Sequence, residues 1–268
     1  MSDSLKSESK YGYIRKHGLI HTLKVIREVY PRLAFRKLFH SSLNPSLLDF
    51  QKVFGEKFVG EPEKFIGSFT NLGQNHLNQF RLEFLKVHNE LQERLEKGEL
   101  NYSKNFGSER STQFALYTLV RTTLPNIVVE TGVANGESTF VLLKALQANN
   151  RGKLYSIDVF EDVGTVIDET MKEGWDLRIL PKNNRKRFLE LIQGLPIIDL
   201  FIHDSSHTYA WQSLEYNAAF DKLRSGGFLA SDDVDASYAF IDFIMKHSCL
   251  NSFALFDGRK IFGLIKRN

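Results

Sequence analysis

A single cysteine, Cys249, stands in 268 residues, so the chain can form no internal disulfide and no cysteine-based zinc site. That scarcity fits a reducing compartment, and the expected location is the cytoplasm. No stretch approaches 18 consecutive apolar residues, which excludes a spanning helix of ordinary length. The first ten residues are polar with mixed charge and lead into no apolar segment, so no secretory signal is expected. Excess charge is also lacking. With 35 Lys+Arg against 32 Asp+Glu the net is +3, too little to argue for a nucleic-acid partner. The chain has no internal repeat, no G-x-G-x-x-G fingerprint and no Tyr-x-x-x-Lys proton relay, and the last two absences weigh against a nicotinamide dehydrogenase.

What is present divides at about residue 98. Residues 1–60 hold 11 Lys+Arg and 5 Asp+Glu, so the rest of the chain is net negative. Apolar residues recur at helical spacing through 19–39 (Leu19, Leu23, Ile26, Tyr30, Leu33), with Pro31 starting a second helix or kinking the first. This basic amphipathic stretch could lie on a membrane surface, but packing on the protein's own core or on a second copy is the stronger reading. A stripe formed by Leu77, Phe80, Phe84, Val87, Leu91 and Leu95 predicts a long structural helix over 75–97, stopped at Gly98. Residues 1–98 are therefore expected to be a helical extension, an acceptor-side cover or dimer element, and 99–268 the functional domain.

From residue 100 onward the pattern alternates. Strands are predicted at 127–131, 154–158, 177–180, 198–204 and 228–232, and helices at 113–121, 138–147, within 163–173, and at 186–193 and 210–223. Such alternation predicts a parallel sheet with helices on both faces. The tail, strand 253–256, Asp257-Gly258, strand 261–265, predicts a closing antiparallel hairpin.

Chemistry gathers at the predicted strand tips. The first strand runs into Glu130-Thr-Gly132-Val-Ala134-Asn-Gly136-Glu-Ser138, a glycine turn opening a helix, where a backbone can approach a ligand closely. Asp158 ends the second strand, placed either to accept both hydroxyls of a ribose or to cap the following segment. Asp204 and the pair Asp232/Asp233 end consecutive parallel strands and so converge on one rim. Three carboxylates there repel one another unless a cation or protons intervene, and all-oxygen ligation suits Mg²⁺, Ca²⁺ or Mn²⁺. The plainer alternative makes Asp232 a helix cap and Asp233 a solvated acid. His207, three residues after Asp204, is either a general base or a loop histidine without a role.

Taken together, VVETGVANGEST, LYSID, DLFIHDSSHTYAWQSLEY and LRSGGFLASDDV, in that order, resemble the class I S-adenosylmethionine-dependent methyltransferases, in particular the small-molecule O-methyltransferases of the macrocin O-methyltransferase type. The resemblance implies a Rossmann-like seven-stranded sheet with a terminal antiparallel hairpin. It implies cofactor contacts from Glu130, Gly132, Ala134, Gly136, Ser138 and Asp204, with Asp158 on the ribose. It further implies a divalent cation such as Mg²⁺ on Asp204, Asp232 and Asp233, and His207 as the base. Phe160, Trp175 and Trp211 are candidate pocket walls, with core packing the stronger reading for each, and Glu215 stands in the helix position where the family commonly has an acid. The expected reaction is methylation of a hydroxyl on a small molecule, a sugar or natural product, by a chain that is a monomer or a homo-oligomer. The competing reading is a non-catalytic cofactor-binding or interaction module of the same fold.

Overall fold

The first helix of the structure is set by two short polar side chains. The protein is described here by a computed structural model covering residues 44–103, 106–247 and 251–268, and residues 45–268 form one compact unit. The predicted amphipathic stretch at 19–39 and Cys249 lie outside the described residues. Helix α1 (Leu47–Phe54) starts where Asp49 N–H donates to the Ser46 hydroxyl (3.3 Å) and Ser46 N–H donates back to the Asp49 carboxylate (3.0 Å), a reciprocal cap. It buries Phe50 and Phe54. A short strand β1 (Phe58–Val59) follows, then α2 (Pro62–Phe69), which opens with proline at the position where a missing N–H costs nothing.

The predicted long helix is α3 (Gln74–Lys97), and Leu77, Phe80, Phe84, Leu91 and Leu95 are its buried stripe. Its acids dock it to its neighbours. Glu83 pairs with Arg121 (3.0 Å) on α4 (Arg110–Thr123), and Glu90 pairs with Lys144 (2.7 Å) on α5. The remaining elements are β2 (Ile127–Thr131), α5 (Glu137–Ala148), β3 (Lys153–Asp158), β4 (Trp175–Ile179), α6 (Arg185–Gly194), β5 (Ile198–His203), α7 (Tyr209–Lys222), β6 (Leu223–Ser231), α8 (Ala239–Lys246), β7 (Asn251–Phe256) and β8 (Ile261–Lys266). Among the described residues no helix is long and apolar enough to cross a membrane.

The strands form one sheet in the order β1-β7-β8-β6-β5-β2-β3-β4. Strands β6, β5, β2, β3 and β4 run parallel, β8 is antiparallel to β6 and β7, and β1 adds parallel to β7. The closing hairpin is therefore as predicted, while the edge strand β1 makes the sheet eight-stranded where seven were expected. Two residues are too few to show a period, which is why β1 and the single-turn-scale elements around it escaped the sequence reading.

Alternate residues of each central strand serve opposite faces. Val128, Leu200 and Ala230 join the core formed with α2, α3, α4 and α5; their neighbours Val129, Phe201 and Leu229 join the core formed with α1, α6, α7 and α8. Both faces are thus covered, as parallel sheets require. From β2 the chain crosses to β3 and β4 on one side and later returns to β5 and β6 on the other. The carboxyl ends of β2 and β5 therefore flank a topological switch point, the place where open α/β sheets bind ligands.

One predicted helix is replaced. Residues 163–173 contain only a 3₁₀ segment at Glu169–Gly174. The reason is that Gly164 N–H donates to the Ala134 carbonyl (2.7 Å) and Val166 N–H to that of Asn135 (3.1 Å), so this stretch gives its donors to the turn after β2 instead of to a helix. Helix α8 had not been foreseen.

The start of β2 is fastened from β5. Asp199, 9% exposed, accepts from Asn126 N–H (2.9 Å) and Ile127 N–H (2.8 Å) and pairs with Arg224. Replacing Asp199 by Ala strands two backbone donors and a guanidinium, and urea denaturation is expected to show a loss of about 2–3 kcal/mol. A loss below about 0.5 kcal/mol would mean that water serves these donors equally well.

Candidate active site

The turn after β2 is shaped by close backbone approaches. Gly132 has φ 84° and Gly136 φ 95°, left-handed values at which a side chain is strained. Gly132 N–H donates to the Ile157 carbonyl (2.9 Å) and Asp204 N–H to the Thr131 carbonyl (2.9 Å), which draws the ends of β2, β3 and β5 together. A Cβ on Gly132 would lie 1.9 Å from the Asp204 carbonyl oxygen. Ala134 also takes a left-handed conformation, φ 47°, where the dinucleotide fingerprint would have its middle glycine.

Asp158 ends β3 and braces this turn. Its Oδ2 accepts from Val133 N–H (2.8 Å), and its Oδ1 accepts from Val159 N–H (2.6 Å) and Phe160 N–H (3.1 Å). It thereby holds the loop and also faces the cavity described below, but no helix begins there for it to cap, so the alternative of a helix N-cap fails. Glu130, only 1% exposed, sits behind the turn and accepts from Thr139 (2.5 Å), Ser156 (2.6 Å) and Ser138 (3.3 Å) hydroxyls. Burial pushes its pKa up to about 7 against the pull of those three donors.

A cavity of about 520 Å³ opens at the strand tips, a size suited to a small-molecule ligand. Of the residues read from the sequence, Gly132, Ala134, Ser138, Asp158, Asp204, His207 and Asp233 line it, as do Phe160 and Trp211. Glu130, Gly136 and Asp232 stand behind the wall, and so does Trp175, whose indole N–H donates to Ser156 (2.6 Å). Their expected direct contacts are thus replaced by support: Glu130 holds the turn and α5, and Trp175 holds Ser156. Tyr102, Phe106 and Lys260 also line the cavity and were not named from the sequence, and so does the loop 180–184, which stands where the resembled family places an adenine contact. Tyr102 reaches the wall from before α4, tied by its hydroxyl to Asp162 (2.8 Å) and by its N–H to the Asn135 side chain (3.0 Å).

On the β5 side Glu215, 1% exposed, gathers four donors: Thr131 (2.5 Å), His203 Nδ1 (2.6 Å), Ser205 (2.8 Å) and Trp211 (2.5 Å). The acid in the helix after β5 is therefore an internal clamp holding β2, β5 and α7. The fully buried His203 ring stands 5.5 Å from that of His207 at 89°. His207 Nε2 lies 3.5 Å from Asp233 Oδ2 and 3.8 Å from Asp204 Oδ1. Burial first, and then the neighbouring His203, push His207 down to about 4, so its imidazole is neutral at pH 7 and able to accept a proton.

The three acids do converge, but around a lysine. Lys260 Nζ bonds Asp232 Oδ2 and lies 3.8 Å from Asp233 Oδ1, and Lys260 is only 8% exposed. Burial pushes the Asp204 and Asp232 carboxyls up, helped at Asp204 by the Asp232 charge, and the Lys260 ammonium pulls both the other way. Asp232 caps no helix, and Asp233, at φ 45°, precedes a single 3₁₀ turn without capping it through its side chain. The set does not fit a divalent ion as arranged. An ammonium already sits against it, Asp232 is off the cavity wall, and among the described residues no group of three or more His, Cys, Asp or Glu is placed to hold a metal.

Residues 129–234 match the family described as Methyltransferase domain. No curated protein matches the sequence. Several solved structures are similar in fold. The O-methyltransferase TomG from Streptomyces achromogenes, involved in tomaymycin synthesis and solved with S-adenosylmethionine, matches 69% of this chain and 89% of its own at 14% identity and a TM-score of 0.53. The S-adenosylhomocysteine-bound methyltransferase PaMTH1 of Podospora anserina matches 74% and 98% at 12% identity, TM-score 0.53, and a methyltransferase from Geobacter sulfurreducens 68% and 87% at 16%, TM-score 0.50. The family match and the shared fold agree on the class: residues 129–234 match a methyltransferase domain, set in a mostly parallel sheet with a closing antiparallel hairpin.

Glu130 makes this site pH-sensitive. Its pKa is near 7 folded and near the ordinary 4.5 unfolded, so above pH 4.5 the unfolded chain releases the proton first and stability falls until about pH 7. Glu130→Gln, which cannot ionise, is expected to gain about 2 kcal/mol relative to the parent between pH 5 and pH 8, measured by denaturant unfolding at both. An offset independent of pH would show that Glu130 is ionised in the folded protein.

Proposed function

We propose that this chain moves the methyl group of S-adenosylmethionine to a hydroxyl oxygen of a small molecule. The observation that carries the reading is one cavity holding a glycine turn with a strand-end acid on one side and a neutral, carboxylate-flanked imidazole on the other. On this reading Gly132, Ala134 and Ser138 receive the methionine end of the methyl donor, and Asp158 accepts its ribose hydroxyls. The Asp158 oxygens are already oriented by Val133, Val159 and Phe160 N–H groups, which take three of the roughly four acceptor positions of a carboxylate that lines the cavity.

The donor's sulfonium supplies the electrophile. The protein aligns an acceptor oxygen behind the methyl carbon, and alignment is the larger part of the catalysis. The new C–O bond forms as the C–S bond breaks, with the electron pair passing to sulfur, while the hydroxyl proton goes to His207 Nε2. A hydroxyl acceptor is favoured because a neutral imidazole can take that proton, and Asp233 beside it offsets part of the cost that burial places on the resulting imidazolium. Tyr102 and Phe106 supply the cavity wall from outside residues 129–234, so acceptor selection rests in part on the segment before α4.

Asp158→Ala is expected to weaken S-adenosylmethionine binding by calorimetry by about 1–3 kcal/mol, the worth of charge-assisted hydrogen bonds. His207→Gln should leave that affinity within about twofold and lower methyl transfer to a panel of hydroxylated aromatics and sugars by roughly 10²–10⁴. Unchanged affinity in the first variant removes the ribose assignment. Unchanged turnover in the second removes the base.

A further inference from the structure

Asp204, Asp233 and His207 line the β5–β6 end of the cavity with Asp232 behind them, and acids so placed stay together only where protons or a positive charge intervene. Two sources of positive charge are physically available: a mobile divalent ion or a tethered ammonium. The geometry points to the second, and we propose that Lys260 is the resident cation of this rim, standing where a divalent ion would otherwise be held, so that methyl transfer here needs no metal. The inference deepens the methyltransferase reading and rests on it.

Lys260 is fixed from both sides. Its N–H donates to Asp257 Oδ1 (2.9 Å), which also accepts from Arg259 N–H (2.8 Å), and the next residue, Ile261, donates to Asp235 Oδ1 (3.1 Å). That last bond ties the hairpin to the very segment that carries Asp232 and Asp233. The side chain is 10% exposed, so its methylene stem is packed and its head is confined among the acids. Asp232 itself is 3% exposed, and among the described residues its Oδ1 has no partner and Lys260 is the cation this carboxylate meets. Asp233 is shared, with its Oδ1 3.8 Å from the ammonium and its Oδ2 3.5 Å from His207 Nε2. A continuous line therefore runs from Lys260 through Asp233 to His207 and Asp204. An acceptor oxygen giving its proton to His207 comes within the field of a fixed positive charge that also lines the cavity.

The claim is tested by titrating Mn²⁺ into the full-length protein loaded with S-adenosylhomocysteine and following free Mn²⁺ by paramagnetic resonance. The wild type is expected to show no saturable site below about 1 mM. Lys260→Met keeps the stem and removes the charge; it should gain a site at least roughly tenfold tighter, and adding Asp204→Asn should abolish the gain. A stoichiometric wild-type site tighter than about 0.1 mM that Asp204→Asn removes overturns the proposal. So does a Lys260→Met protein that melts cooperatively yet binds Mn²⁺ no better than wild type. Should that variant fail to fold, the wild-type titration decides alone. Calorimetry with S-adenosylhomocysteine on the same samples tests the parent reading separately: absent binding removes the methyltransferase site, whereas intact binding beside a tight wild-type Mn²⁺ site removes only the role of Lys260.

Discussion

At Gly132 the chain passes so close to the Asp204 carbonyl that no side chain fits between them. The hydrogen bonds on either side, Gly132 to Ile157 and Asp204 to Thr131, fasten the tips of three parallel strands within one turn of backbone. Much of the site depends on this junction. It aims the start of α5, sets Asp158 against Val133 N–H, and brings the loop after β5, with Asp204 and His207, over the same cavity. It also consumes the donors of residues 164–166 through Ala134 and Asn135, which is why the chain after β3 crosses the turn as irregular structure and not as a helix.

The junction is supported by buried polar groups in two clamps. Glu130 collects three hydroxyls beneath the turn, and Glu215 collects four donors from β2, β5 and α7. Such networks are costly unless fully satisfied, and these are well supplied, so they specify one arrangement of the strand tips. The acids at the β5–β6 rim are treated differently: Asp204 and Asp233 on the cavity wall and Asp232 behind it share one ammonium and one imidazole among them, and Asp232 Oδ1 has no partner among the described residues. The two supporting carboxylates are well supplied, although His203 Nε2 in the Glu215 clamp has no partner among the described residues, and the rim acids keep unspent capacity.

Much of this was legible in the residues. Short runs rich in β-formers, alternating with helical segments, placed β2, β3, β5 and the terminal hairpin, with Gly132 and Asp257-Gly258 marking the stop after β2 and the turn of the hairpin. Acids at strand ends located the rim because parallel strands deliver their carboxyl ends to one edge. What escaped lacked periodicity or local signal. Two residues of β1 cannot alternate, and α8 is a short apolar run that reads equally well as strand or helix. Lys260 follows an Asp-Gly turn and precedes a strand, a place with no chemical meaning until β8 is seen lying antiparallel beside β6. Likewise Glu130 and Asp232 were read as contact residues, because spacing reports the strand a residue ends but not which side of a turn its carboxylate takes.

Whether the β2–β3–β5 junction receives the methyl donor, as proposed, is decided by hydrogen exchange with and without S-adenosylhomocysteine, since the backbone of the junction is what the ligand would shield. Protection is expected in residues 131–138, 158–160 and 180–184, with little change in α3 or in the β7–β8 strands. Uniform rates on saturation with the ligand, or protection centred on the Glu90–Arg94 face of α3, would contradict the proposal.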